Sequence, residues 1–293
     1  MNLKARSLDD ILFQILINGF LLFILVIVII PMWKVWIMSI TPLNSQDTTL
    51  LGLWLSPAEW SFEAYKQLLT HPFFLRATAN SFIIMGGGVV INMLLTVPFA
   101  YALSNQDLPG RKFFIFMVMV PFLFNAGLIP VYLVVNKLSL VDTYWAVILP
   151  GGINIYNLLV MKSFFEGLPI ELKEAARLDG ANELQVLWNV ILPLSKPILL
   201  TIGLFYAVAH WNEFFNAILY LNDADLQPLT VLLRNILLAA NMNEYVEYDA
   251  FSSASIQAIK SAGVFLTMLP MVIIYPWIQK YFTKGTLLGG VKQ

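Results

Sequence analysis

Six long apolar stretches alternate with polar connections along the chain: about Ile11 to Ile40, Thr78 to Leu103, Phe113 to Val135, Tyr144 to Phe165, Ile198 to Leu221 and Gly263 to Phe282. A helix needs about 20 apolar residues to cross bilayer hydrocarbon, and each stretch is long enough. The pattern predicts an all-α polytopic membrane protein with six transmembrane helices and both termini on one side. Breakers sit inside several stretches: Gly86, Gly87, Gly88 and Pro98 in the second, Pro121, Gly127 and Pro130 in the third, Pro270 and Pro276 in the sixth. Lipid tolerates a freed amide or carbonyl only where protein or a water-filled cavity satisfies it. These positions therefore predict either kinked helices around a cavity or, above all at the glycine triplet, close helix packing. Two long connections remain, about Thr41 to Arg76 and Asn222 to Lys260. The first holds Trp54, Trp60, Tyr65 and a helix start at Ser61, Phe62 and Glu63. The second places Val231, Leu232, Leu233, Ile236, Leu237 and Ala240 on one face at helical spacing, as expected of an amphipathic helix on the membrane surface.

Composition agrees with the apolar pattern. Of 293 residues, 59% are hydrophobic and 12% charged, well below the roughly 25% charge of soluble domains. A net charge of -1 offers no electrostatic footprint for nucleic acid. With no cysteine, disulfides, thiolate nucleophiles and cysteine-ligated metals are excluded. His71 and His210 form no metal-binding spacing, so no directly bound cofactor is expected. Lysine and arginine near helix ends favour the cytoplasm. Placing the N-terminus inside puts Lys4, Arg6, Arg111, Lys112, Lys162, Lys173, Arg177, Lys196, Lys280, Lys284 and Lys292 there together, so both termini are expected in the cytoplasm. The first stretch is about twice the ~7 to 15 apolar residues of a secretory signal and is expected to be retained. Trp33, Trp36, Trp145 and Trp277 fall near expected helix ends, where amphipathic rings are stable.

One polar segment between the fourth and fifth stretches stands apart. Pro169 suits a helix start, and Ile170 to Leu178 then makes about two turns, with Glu171 and Glu174 early and Arg177 late, as the helix dipole favours. Ala175 and Ala176 combine high helix propensity with little bulk, so another surface can approach the backbone. Asp179 and Gly180 end the helix, glycine supplying a left-handed conformation. Asn182 is an N-cap for a second short helix, whose Leu184, Leu187, Trp188 and Ile191 form an apolar stripe. Pro193 closes the unit and Pro197 starts the next span. The unit reads as a helix, turn, helix with an apolar base and an exposed face carrying Glu174, suited to insertion into a partner's cleft; an ordinary amphipathic loop satisfies the same pattern.

The spacing Glu174, Ala175, Ala176, then Gly180, then Leu192 and Pro193 resembles the EAA loop of bacterial ABC importer permeases, with Val190 where that signature has isoleucine. Further stretches, Arg177 to Ala181, Trp211 to Leu221, Pro228 to Leu233 and Gln279 to Lys292, resemble the MalG-like permeases of carbohydrate importers, with a closer likeness to second permease subunits of alginate importers. The resemblance implies the type I importer permease fold: residues 1–75 as an N-terminal helix and first outer loop, residues 76–293 as a permease core with its EAA loop at 174–193. It also implies partners: a second homologous permease, two ATP-binding cassette ATPases that hold ATP and magnesium, and an extracytoplasmic solute-binding protein, all at a bacterial inner membrane. Glu174, Ala175, Ala176, Asp179, Gly180, Leu192 and Pro193 would then couple to the ATPases, and tail residues Gly289, Gly290 and Lys292 would reach toward them. The chain lacks a GxxxxGK[ST] phosphate loop and is expected to be non-catalytic.

The fifth stretch is dense in polar groups: His210, Trp211, Asn212, Glu213 and Asn216, with Asn212 and Asn216 four apart on one helical face. A carboxylate in a span normally faces the bundle interior or water, and Trp211 could stack on a sugar ring. These residues, with Asn154, Tyr156 and Asn157 in the fourth stretch, are candidates for the translocation pathway; hydrogen bonding between helices is the alternative use. A secondary transporter or channel would call for internal symmetry and buried coupling charges, neither of which is evident. An intramembrane enzyme would call for a motif such as GxSxG or HExxH, and none lies in a span.

Overall fold

The computed structural model describes residues 8–42, 55–124, 126–239 and 256–289. They form helices, with no strand among the described residues: α1 (Leu8–Ser39), α2 (Glu63–Thr70), α3 (Pro72–Ser104), α4 (Arg111–Leu123), α5 (Leu128–Lys137), α6 (Tyr144–Ile148), α7 (Ile155–Glu166), α8 (Ile170–Leu178), α9 (Glu183–Val186), α10 (Leu192–Leu194), α11 (Lys196–Trp211), α12 (Phe215–Tyr220), α13 (Leu229–Ala239) and α14 (Ile256–Gly289). Three helices are long and apolar enough to cross a membrane unbroken, within α1, α3 and α14. The other spans are built from pieces. The third is α4 and α5, parted near Gly127 at φ +81°; the fourth is Tyr144–Gly151 and α7, bent by 50°. The fifth apolar stretch holds α11, which ends at Trp211, and α12 beyond the break; ahead of α11, Glu183–Leu194 meets it at a bend of 87°. Prolines alone do not make the breaks: Pro98, Pro270 and Pro276 all lie inside continuous helices. Trp54 and Ala240 of the two long connections lie outside the described residues.

The chain divides into two compact units. In the first, residues 1–71 and 235–268, α1 exposes apolar side chains from Leu12 to Trp33, as a lipid-facing helix does. Its last turn is the anchored part. Ile37 and Ile40 are buried with Leu55, Ser39 Oγ bonds the Tyr65 hydroxyl at 2.6 Å, and Trp60 packs edge-on against Trp36 at 5.6 Å. The helix expected at Ser61 to Glu63 starts at Glu63, its amide donating to Ser61 Oγ at 3.4 Å.

The second unit, residues 72–234 and 269–293, is organised around α3, α7 and α11. Its core joins Ala100, Tyr101 and Leu103 of α3, Leu158, Met161 and Phe165 of α7, and Ile202 and Tyr206 of α11. Between spans, hydrocarbon offers no hydrophobic gain, so close packing and polar ties hold helices together. Two such ties link α3 to α11. Asn92 Nδ2 meets His210 Nε2 at 3.0 Å, and Thr96 Oγ1 meets the Tyr206 hydroxyl at 2.7 Å. Of the glycine triplet, Gly88 serves packing: α3 runs through all three unbroken, and a Cβ built on Gly88 would fall 2.4 Å from the His210 ring.

Gly88→Ala is therefore expected to push His210 away from Asn92 and to cost about 1–3 kcal/mol, the usual range for overpacking. Gly86, with nothing within 4 Å of an added Cβ, is the matched control. Melting of the detergent-purified protein should fall for Gly88→Ala and stay unchanged for Gly86→Ala.

Candidate functional site

Two features of the second unit combine exposed or cavity-lining polar groups with a fixed backbone. The first is the segment from α8 to α10. Asp179 caps α8, and Gly180 turns the chain at φ +85°, a conformation that costs other residues roughly 1–2 kcal/mol. Asn182 and Gln185 then form a reciprocal capping box: Asn182 Oδ1 accepts from the Gln185 amide at 2.9 Å, and Gln185 Oε1 from the Asn182 amide at 2.8 Å. A π-helical turn, Leu187–Ile191, follows. Val186, Leu187 and Ile191 are buried in the core shared with α3, α7 and α11, whereas Leu184 and Trp188, expected on that buried stripe, are 68% and 64% exposed.

Glu174 and Ala175 lie exposed on α8, with Leu178 at 88% exposure beside them. Ala176 packs inward on the core. Asp179 and Gly180 are exposed at the turn; Leu192 is partly buried and Pro193 exposed in α10. On the inward side, Glu183 joins three elements. Its Oε1 accepts from Arg177 Nε at 2.9 Å and its Oε2 from the Tyr101 hydroxyl at 2.6 Å. The Tyr101 hydrogen bond holds the Glu183 carboxyl below the usual carboxylate range, with Arg177 adding to the effect. Lys173, one turn before Arg177, donates to the Phe165 carbonyl at 3.2 Å and sits 5.9 Å from the centroid of the Tyr101 ring. Neighbouring span ends are tied by Glu166, which pairs with Arg111 and, at 2.8 Å, with Lys162.

The second feature is a cavity of about 820 Å3 between α3, α7, α11 and the middle of α14. Of the pathway candidates, Asn154, Tyr156, Asn157, His210, Glu213 and Asn216 line it. Trp211 and Asn212 do not. Trp211 is 2% exposed and packs on Phe82 with centroids 5.2 Å apart, and Asn212 Nδ2 donates to the Val208 carbonyl at 2.9 Å. The expected pairing of Asn212 with Asn216 on one face does not form, because the helix breaks between them. Glu213 stabilises that break. Its Oε1 accepts from the amides of Phe214 and Asn216, and its Oε2 from Asn216 Nδ2, each at 3.1 Å. Asn154 does similar work at the bend before α7. Its Oδ1 caps the Asn157 amide at 3.1 Å, and its own amide donates to the Tyr206 hydroxyl at 3.0 Å.

Three lining residues with polar side chains were not singled out from the sequence: Asn92, Tyr206 and Tyr275. A signal for Asn92 exists, since it is a polar residue one turn beyond Gly88 in an apolar span. Its Oδ1 is buried without a hydrogen-bond partner among the described residues, leaving one acceptor for water or a ligand hydroxyl. Tyr206 and Tyr275 carry no comparable mark, because tyrosine is ordinary near helix ends. At the tail, Gly289 is the last residue of α14; Gly290 and Lys292 lie outside the described residues.

Comparison with known proteins places this architecture. The family described as binding-protein-dependent transport system inner membrane component matches residues 87–287. The chain is 39% identical to the polygalacturonan/rhamnogalacturonan transport system permease protein YtcP of Bacillus subtilis (strain 168), covering 96% of this chain and 98% of that protein. It is 29% identical to the arabinooligosaccharides transport system permease protein AraQ of Halalkalibacterium halodurans, covering 98% and 99%. Among solved structures, a chain of a bacterial ABC transporter involved in the import of the acidic polysaccharide alginate matches with a TM-score of 0.88 and 32% identity over 95% of this chain and 99% of that one. With the family pattern spanning most of the helical core, and a relative this similar over nearly its whole length, the chain belongs to the binding-protein-dependent transport system inner membrane components.

Proposed function

We propose that this protein is one permease of an ATP-driven carbohydrate importer, pairing with a second permease, receiving its solute from an extracytoplasmic binding protein and driven by two cytoplasmic ATPases. The observation that carries the reading is the α8–α10 unit, rooted in the bundle core through Val186, Leu187 and Ile191 while Glu174, Leu178, Leu184 and Trp188 face outward. Such exposed apolar side chains around a carboxylate suit a partner's cleft. In this reading both termini and the α8–α10 unit are cytoplasmic, Glu174 meets a basic group on the ATPase, and the small Ala175 and the left-handed Gly180 allow close approach. ATP and magnesium sit on the ATPases, and this chain contributes no catalytic group. Asp179, Leu192 and Pro193 shape the unit; Gly289, Gly290 and Lys292 extend toward the ATPase interface.

The cavity is this subunit's wall of the solute pathway. Tyr156 and Tyr275, 58% and 62% exposed, offer ring faces on which a sugar can stack, while Asn92, Asn154 and Asn157 offer carboxamides to hydroxyls. Its lining includes Glu213 but no lysine or arginine. A solute with uronate groups, like those of the YtcP and alginate systems, would be costly to desolvate against this wall alone, so the compensating cations belong on the partner permease.

The test is to copurify the tagged chain with the products of its neighbouring genes and to measure ATP hydrolysis with and without binding proteins loaded with oligosaccharides. A stable complex stimulated by one loaded binding protein is expected; a chain that transports alone overturns the reading. Glu174→Lys places a cation opposite the ATPase and should abolish copurification of the ATPases while leaving the permease pair intact. Tyr156→Ala should leave the complex assembled and slow uptake roughly two- to tenfold, the equivalent of about 0.5–1.5 kcal/mol of lost aromatic contact; unchanged uptake would remove Tyr156 from the pathway.

A further inference from the structure

We propose that Glu183 is the positioning residue through which movement of the α8–α10 unit is transmitted to α3, by way of its hydrogen bond from Tyr101. This rests on the importer reading above and assigns a role that the exposed docking face does not fill. The geometry supplies the reason. Val186, Leu187 and Ile191 bind the unit to the core through α9 and the π turn, whereas α8, which carries Glu174, adds the partly buried Ala176 to that core and is otherwise held through polar contacts. Arg177 ties the last turn of α8 to one oxygen of Glu183, and Tyr101, in the last turn of α3, takes the other. One carboxylate thus joins both arms of the unit to a membrane helix that also carries Asn92, at the cavity wall, and Thr96, bonded to Tyr206 of α11.

The two bonds differ in what they do. The Arg177 pair is partly exposed, with side chains at 36% and 55% accessibility, and pairs of that kind contribute little to stability. The Tyr101 bond is short, charge-assisted and directed from a side chain that is 9% exposed, so it is the stiffer link. Lys173 over the Tyr101 ring and on the Phe165 carbonyl braces the same corner from α8. Force on Glu174 would rock α8; with the Glu183 link intact, α3 follows, and without it α8 moves alone. Tyr101→Phe removes one hydroxyl on α3 and changes no side chain of α8 or α9, so Glu174 and the exposed residues around it keep their chemistry.

The experiment uses the full importer complex in liposomes and reads solute taken up per ATP hydrolysed, together with copurification of the ATPases. Tyr101→Phe preserves the ring and its packing and removes only the hydroxyl; Glu183→Gln keeps an acceptor for Tyr101 but loses the charge. The ATPases should stay bound in both, and uptake per ATP should fall by about fivefold or more in Tyr101→Phe, the lower range of a coupling free energy, and by less in Glu183→Gln. The double change Tyr101→Phe with Glu183→Leu should be no worse than Glu183→Leu alone, since one link is being removed. Unchanged uptake per ATP in Tyr101→Phe, or additive losses in the double variant, overturns the proposal. Loss of the ATPases from Tyr101→Phe also overturns it, by making the hydroxyl a docking determinant. If Glu174→Lys, run beside them, retains the ATPases and full uptake, the importer reading of the unit has failed instead.

Discussion

Every break in a membrane helix frees amides and carbonyls that lipid cannot bond, and the second unit is arranged around satisfying them. Glu213 caps the restart of α12 with one oxygen and holds the Asn216 side chain with the other, and Asn154 caps α7 while its own amide is taken by Tyr206. Tyr206 in turn bonds Thr96 on α3. Where a side chain from the same or a facing helix takes a freed group, as Glu213, Asn154 and Tyr206 do, the break beside the cavity need not expose that group to hydrocarbon. The polar residues of the fourth and fifth spans therefore do two jobs at once: they hold the broken helices in register and they present what remains of their polar surface to the cavity.

A second consequence follows for the link between cavity and loop. The helix that bears Asn92 at the cavity also bears Tyr101 at its end, nine residues on from Asn92 along one continuous helix that even Pro98 does not interrupt. A helix of this kind is stiff along its axis, and the capping box and the left-handed Gly180 make the α8–α10 unit stiff as well. Rigid pieces joined through a shared apolar core and a few polar contacts move as bodies and not by bending, which is the mechanical requirement for a subunit that relays work done elsewhere.

Hydrophobic periodicity was a sound guide wherever one face of an element meets one environment. The six apolar stretches, the two turns of α8, the stop at Asp179 and Gly180 and the cap at Asn182 all follow from local chemistry that acts within a few residues. Where the prediction went astray, a longer-range effect intervened. Leu184 and Trp188 fall on the expected stripe by α periodicity, but the segment with its π turn at Leu187–Ile191 meets the bundle through Val186, Leu187 and Ile191 and leaves the other two exposed. Asn212 and Asn216 share a face only in an unbroken helix, and Glu213 ends it between them. Asn92 went unremarked because a lone carboxamide in an apolar span acquires meaning only once His210 and Gly151 are brought beside it.

By itself, then, the sequence determined the class of molecule: the length and number of apolar runs demand a helical membrane protein, and the caps and breakers of residues 170–197 specify a compact loop, because these are decided by solvent preference and by hydrogen bonds between near neighbours. Tertiary structure alone decided which polar side chains face a common cavity, why Gly88 must lack a side chain, and that Glu183 reaches across to Tyr101. Those depend on helices distant in sequence meeting at one register, and that register is set by packing over the whole bundle, which no local pattern encodes.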